Sequence, residues 1–243
     1  MRIDCLTLFP AMLQSVLEES IIGRAIKAGL IDIRYIDIRD YAENKHNRVD
    51  DSPYGGGMGM VMQAEPIYRA FQSVLQTSTS RPHVIYMSPQ GRVFNQSIAK
   101  ELSKETHLVL LCGHYEGVDE RILEEIVDEE LSIGDYVLTG GEIPAMAVID
   151  AVARMIPGVL PSEDAYSEES LYKGLLEYPQ YTRPPEFLGR QVPPILLSGH
   201  HENISAWRRA ESIRRTCAKR PELLQHAELT EKEKTLVAQL LKQ

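Results

Sequence analysis

Two periodicities alternate along the chain. "MRIDCLTLF" and "LIDIRYIDIRD" interleave apolar and polar residues and predict strands. Between them, "AMLQSVLEESIIGRAIKAG" has helical apolar spacing and predicts one helix closing near Gly29. Tyr41 to Gln63 keeps neither period. It is polar at first, then holds four glycines in five positions, and predicts a long loop of the kind that covers a site or lacks structure. Helical spacing returns from Glu65 to Gln76, with Pro66 in the first turn.

A repeated grammar follows. "HVIYM", "HLVLLC" and "ELSIGDYVL" read as strands. Each leads into a glycine-bearing turn ("SPQGR", "GHYEGVDER", "TGGEIP") and then into a helical pattern. Strand, turn and helix three times over predict an α/β fold with a parallel sheet. The unbroken apolar run "HLVLLC" suits a strand covered on both faces. Residues 157–194 carry seven of the fourteen prolines and few strong periods. Beyond Gly199 the pattern is helical and basic. A last short helix has Thr230 and Glu233 spaced as a capping box. The expected organisation is an α/β domain over 1–160, an interdomain linker over 161–185 and a small helical domain over 186–243.

With 43% hydrophobic and 25% charged residues in 243, the composition is that of a soluble globular protein able to bury a core. No window approaches the ~18 apolar residues of a membrane span. "MRIDCLTLFPAM" reads as a first strand rather than a signal peptide, so the cytoplasm is the default location. Cys5, Cys112 and Cys217 are far apart and lack zinc spacing, which favours buried free thiols. The net charge of −9 argues against a nucleic-acid partner, but the charge is segregated. Glu116 to Asp135 holds nine acids and one arginine; Arg183 to Arg220 holds eight Lys/Arg and three acids. A local excess of this kind suits a phosphate backbone, and a solvated helix face is the plainer alternative.

In open α/β sheets, ligands sit at the carboxyl ends of the strands, so the three turns are expected to share one pocket. Thr139-Gly140-Gly141-Glu142 also has the T-x-x-E capping pattern, which leaves its two glycines unexplained. The phosphate-binding glycine motifs are missing, and Glu116, Asp119 and Asp135 make the region acidic. An adenine-bearing cation, S-adenosylmethionine, suits such a pocket better than a polyphosphate.

"SPQGR", "LLCGHYEGVDER", "SIGDYVLTGGEIPAMAVIDAVARMIPGVL", "GLLEYPQYTRP" and "VPPILLSGHHENISAWRR" together resemble the bacterial tRNA (guanine-N1)-methyltransferases of the SPOUT superfamily, over nearly the whole chain. The resemblance implies a parallel sheet with a deep trefoil knot, a homodimer with its active site at the subunit interface, and S-adenosylmethionine held by the knot loops. Knots are nearly absent from folds, so topology rules alone would reject one. It also implies that N1 of the guanosine at position 37 of tRNA is methylated. For the cofactor it points to Tyr86, Ser88 and Pro89, then to Gly113, Tyr115, Glu116 and Gly117. It points further to the backbone of Ile133, Gly134, Asp135, Tyr136, Val137 and Leu138, and to Gly140, Gly141 and Pro144. For the guanosine it points to His46, Asp50 and Gly59. Taken one by one without the resemblance, these positions read as core strand or solvated loop.

N1 of guanine carries a proton near neutral pH. Methylation there needs a base at N1, a donor near O6 and a methyl group in line. The resemblance assigns the base to an acidic segment ahead of "GLLEYPQYTRP". Here that segment is Glu169-Ser170-Leu171, a glutamate where the family has aspartate. Glu168 is adjacent and is the alternative base. Arg154 is assigned to O6; a charge at a helix C-terminus accounts for it equally well. Arg208, Arg209, Arg214, Arg215 and Lys219 are expected on the tRNA backbone. The resemblance admits magnesium (Mg2+) as an assisting ion, with no carboxylate cluster marking a site. Two rival readings remain: a non-catalytic RNA-binding module, and a SPOUT methyltransferase acting on another RNA position.

Overall fold

The computed structural model describes residues 1–162, 166, 169–225 and 227–241. Two compact units divide the chain, Met1–Ser162 and Glu163–Gln243.

The first unit is built on a five-stranded sheet. Its strands are β1 (Arg2–Thr7), β2 (Asp32–Asp37), β5 (His83–Val93), β6 (His107–Cys112) and β7 (Glu129–Ser132), in the order β2-β1-β6-β5-β7. Every pairing is parallel. β6 lies between β1 and β5 and is buried at all six positions, which is why its sequence does not alternate. Helices α3 (Ala64–Gln76) and α5 (Glu120–Ile126) supply Ile67, Phe71, Val74, Ile122 and Ile126 to a core with Leu6, Val84, Val109 and Leu111 of the sheet. Asn95 caps α4 (Gln96–Leu102) by accepting from the amides of Ser97 and Ile98. α6 (Glu142–Ala153) is mostly buried.

The chain departs from its sequence pattern in three places. The first predicted helix is two, α1 (Pro10–Leu17) and α2 (Ser20–Lys27). Ser20, at φ 54°, breaks the run, and Gly23 packs against the Glu18 carbonyl. The predicted strand "ELSIGDYVL" stops at Ser132. Gly134 has φ +147°, a conformation that ends a strand, and Val137 beyond it is 85% exposed. The alternation of Ile133 to Leu138 belongs to a loop. The Tyr41–Gln63 stretch is ordered by a short ladder, β3 (Asp50–Asp51) against β4 (Val61–Met62). It docks on the turn after β6: Met62 donates its amide to Gly117, and Glu116 and Asp119 donate theirs to Met60 and Met62.

In the second unit, β8 (Glu186–Phe187) and β9 (Arg190–Gln191) form a small antiparallel hairpin that the periodicity did not suggest. Helix α7 (His201–Lys219) and helix α8 (Glu231–Leu240) follow. Residues 169–177, within the span expected to be a linker, fold on α7: the Leu176 amide donates to Thr216 Oγ1 at 2.9 Å, and Leu175 is buried. The Thr230/Glu233 capping box forms as its spacing predicts. Cys5 and Cys112 are buried free thiols, whereas Cys217 is only half-buried.

Candidate active site

β5, β6 and β7 end side by side, and a cavity of about 390 Å³ opens at their carboxyl ends, within the usual size of a small-molecule site. Its walls come from three stretches: Tyr86 to Gln90, Gly113 to Val118, and Leu131 to Gly141. The first stretch exists because β5 is interrupted. Met87 and Arg92 both stand opposite Leu131 of β7, so the four residues between them bulge out of the sheet. Every residue to which the resemblance points for the cofactor lines this cavity except Asp135. His114, Gln90, Thr139 and Val118 line it too and were not singled out from sequence.

The glycine pair closes one wall. The Gly141 amide donates to the Gly113 carbonyl at 2.9 Å, and His114 pairs with Gly140 in an isolated antiparallel bridge. A Cβ on Gly141 would lie 2.7 Å from Cys112 Cα, and one on Gly140 would lie 2.2 Å from His114 Nε2. At Gly141 bare backbone is required because the main chain of Cys112 and Gly113 lies at contact distance; at Gly140 the obstacles are the His114 ring and the Glu142 carboxylate. Thr139 is not the N-cap of α6. Gly141 holds that position without a side-chain cap, and Glu142 points inward, 1% exposed.

Burial first, then the charges of Glu130 and Glu120, push the Tyr86 phenol up to about 12, so it stays protonated as a donor. Burial also holds the Cys112 thiol well above its usual range, which removes it as a nucleophile. Tyr115 has φ 59°, an uncommon conformation for a non-glycine residue, in the turn that bears Glu116.

The remaining expected residues lie elsewhere. Gly59 packs against the Glu116 side chain, where a Cβ would come within 2.5 Å. Asp50 is half-buried on β3, and His46 is exposed on a turn tied by the Asn44 side chain. Arg154 is the C-cap of α6. Glu169 belongs to the second unit, where it lines a separate cavity with Lys173, Tyr178, Arg208 and Arg209. Glu168 lies outside the described residues. Among the described residues no three His, Cys, Asp or Glu side chains group as a metal site requires, so no residue is assigned to magnesium. No helix among them is long and apolar enough to cross a membrane.

Three of the five Lys/Arg residues of α7 are drawn into local pairs. Arg209 bonds Glu233 at 2.7 Å, Arg214 pairs with Glu211, and the Arg208 guanidinium sits 4.7 Å from the centre of the Tyr178 ring.

Fold and cavity together define a parallel α/β protein with a cavity lined by three glycine-bearing turns at the carboxyl ends of its strands, the place where open α/β sheets bind ligands. The chain belongs to the tRNA (Guanine-1)-methyltransferase TrmD family, whose pattern it matches over residues 1–226. It is 59% identical over 223 residues to the tRNA (guanine-N(1)-)-methyltransferase of Ruminiclostridium cellulolyticum, covering 92% of this chain and 96% of the relative. The proteins of the same name from Halalkalibacterium halodurans and Geobacillus kaustophilus are 52% and 54% identical, over 100% and 96% of this chain and 99% and 96% of their own lengths.

Proposed function

We propose that this protein transfers a methyl group from S-adenosylmethionine to N1 of a guanosine in tRNA, at position 37. The observation that carries the reading is the cavity at the ends of β5, β6 and β7, in a chain of this family. Its chemistry fits the donor. The Ile133–Leu138 loop offers backbone groups to an adenine, the Tyr86 phenol is a protonated hydrogen-bond donor, and Glu116 brings a carboxylate toward a sulfonium. S-adenosylmethionine supplies an electrophilic methyl group when bound.

The chain supplies the rest. Glu169 accepts the N1 proton, which frees the lone pair for attack. Arg154 donates to O6, where negative charge develops; its fixed fork and constant charge suit that task. Glu169 reaches one methylene further than the aspartate the family resemblance implies, so its backbone or its rotamer must retreat to keep the same geometry at N1. His46, Asp50 and Gly59 contact the guanosine side of the site, and the α7 arginines meet tRNA phosphates. The crossing of Gly140-Gly141 over the turn after β6 supports a knotted SPOUT topology. Exposed Phe9, Met12, Val16 and Ile143 support a homodimer with active sites at the subunit interface.

The test is transfer of labelled methyl to a tRNA transcript, with the modified nucleotide mapped by mass spectrometry. 1-Methylguanosine at position 37 is expected. Methylation elsewhere would make this a methyltransferase of other specificity, and RNA binding without transfer would make it a binding module.

A further inference from the structure

Glu142 begins α6 and is almost fully buried, with its carboxylate shared between two distant parts of the chain. Thr7 Oγ1, at the carboxyl end of β1, donates to Oε1 at 2.6 Å. His114 Nε2, in the turn after β6, donates to Oε2 at 2.7 Å. Thr7 is itself fixed, because its hydroxyl also accepts the Phe9 amide at 2.9 Å. His114 is packed on the Phe9 ring, with centroids 4.8 Å apart. A buried carboxylate tolerates few arrangements of its donors, since losing one leaves charge unsatisfied in a dry site.

We infer that Thr7, Glu142 and His114 form a buried clamp that positions the Gly140-Gly141 crossing, and through it one wall of the cavity. The clamp's atoms touch that crossing directly: a Cβ on Gly140 would lie 2.2 Å from His114 Nε2 and 2.7 Å from Glu142 Oε2. His114 and the segment Leu138–Gly141 both line the cavity. Thr7 does not line it, and neither does Glu142, so these two are positioning residues that act through the loop. The T-x-x-E pattern read from sequence as a cap is, in the fold, a tether to a strand 135 residues away. The consequence for ligand affinity rests on the proposed cofactor reading; the consequence for the loop does not.

The experiment compares Thr7→Val, which keeps the shape and removes the hydroxyl, with Thr7→Ser, which keeps the hydroxyl. Two quantities are measured on the full chain: amide hydrogen exchange of residues 138–141 without cofactor, and calorimetric affinity for S-adenosylmethionine. In Thr7→Val, exchange of 138–141 should quicken about tenfold more than exchange of α3, and affinity should fall about tenfold. Thr7→Ser should restore both. Equal quickening in α3 and in 138–141, or a Thr7→Ser variant as impaired as Thr7→Val, would reduce the clamp to ordinary core stability and overturn the inference. Should Thr7→Val not fold, exchange in His114→Gln and His114→Leu decides. Only the glutamine can donate to Glu142, so equal loop exchange in the two would also overturn it. Parent protein that fails to bind S-adenosylmethionine sinks the cofactor reading and leaves the exchange result to judge the clamp.

Discussion

The amide of Gly141 donates to the carbonyl of Gly113 at 2.9 Å, which lays the start of α6 across the turn that follows β6. Cys112 Cα lies so near that a methyl group on Gly141 would sit 2.7 Å from it. The backbone angles of Gly141 are ordinary (φ −81°, ψ −6°), so its requirement for glycine is steric and not conformational.

Gly141→Ala is therefore expected to destabilise the first unit by about 1–3 kcal/mol through overpacking, because backbone on the far side cannot give way. Affinity for S-adenosylmethionine should drop by more than about tenfold as the crossing is forced apart. Urea unfolding and calorimetric binding check the two effects. Parental affinity in the alanine variant would show that the crossing does not shape the site.

Glu169→Gln keeps size and removes the proton acceptor. Single-turnover methyl transfer should slow by about 10²–10⁴ while S-adenosylmethionine affinity stays within about twofold. Arg154→Ala should slow the same step by about 10²–10³. Rapid-quench assays under saturating cofactor measure both. Parental rates in either variant would take that residue out of the mechanism.

Affinity for tRNA should weaken steeply with salt, with log Kd rising linearly in log salt concentration at about 0.7–0.9 per phosphate contacted. Lys219→Ala should lower that slope by about one. Filter binding between 50 and 200 mM salt, roughly the range over which such contacts are lost, measures it. A flat plot would contradict phosphate gripping by α7.

Glu233 ties α8 to α7. Hydrogen bonds from Arg209, and then from Thr230, hold its carboxyl down to about 2, below the ordinary 4.5. A group whose folded pKa is depressed stabilises the fold above its unfolded pKa, and that contribution fades as pH falls toward the folded value. Glu233→Gln keeps the capping box, since glutamine can still accept from the Thr230 amide, and should cost the second unit about 0.2–1 kcal/mol at neutral pH, as a half-exposed ion pair does. The difference from the parent should shrink between pH 4.5 and 2. Urea titrations at pH 7 and pH 3 test this, and a gap that widens on acidification would refute it.

Much of the site was readable from local pattern. Three strand–turn–helix repeats were enough to expect ligand-binding turns at one end of a parallel sheet, and "HLVLLC" announced a strand buried on both faces. Ile133 to Leu138 misled because alternation reports only that successive side chains face different surroundings. Here even that does not hold: five of the six residues line the cavity and Asp135 to Leu138 are all exposed, so the pattern matches no two faces of a sheet. His114 gave no warning, since a histidine between glycine and tyrosine in a turn looks solvated until its partner is known.

What the sequence determined by itself was the set of elements whose causes lie within a few residues: most of the helical spacings, the Thr230 cap and the glycine-bearing turns. Tertiary structure alone decided that Glu142 faces Thr7 and His114, that Gly141 meets Cys112, and that the Tyr41–Gln63 loop docks beside Glu116. The physical reason is range. Caps and periods are satisfied by neighbours in sequence, whereas a buried carboxylate and a backbone crossing are satisfied only by atoms that folding brings from far along the chain.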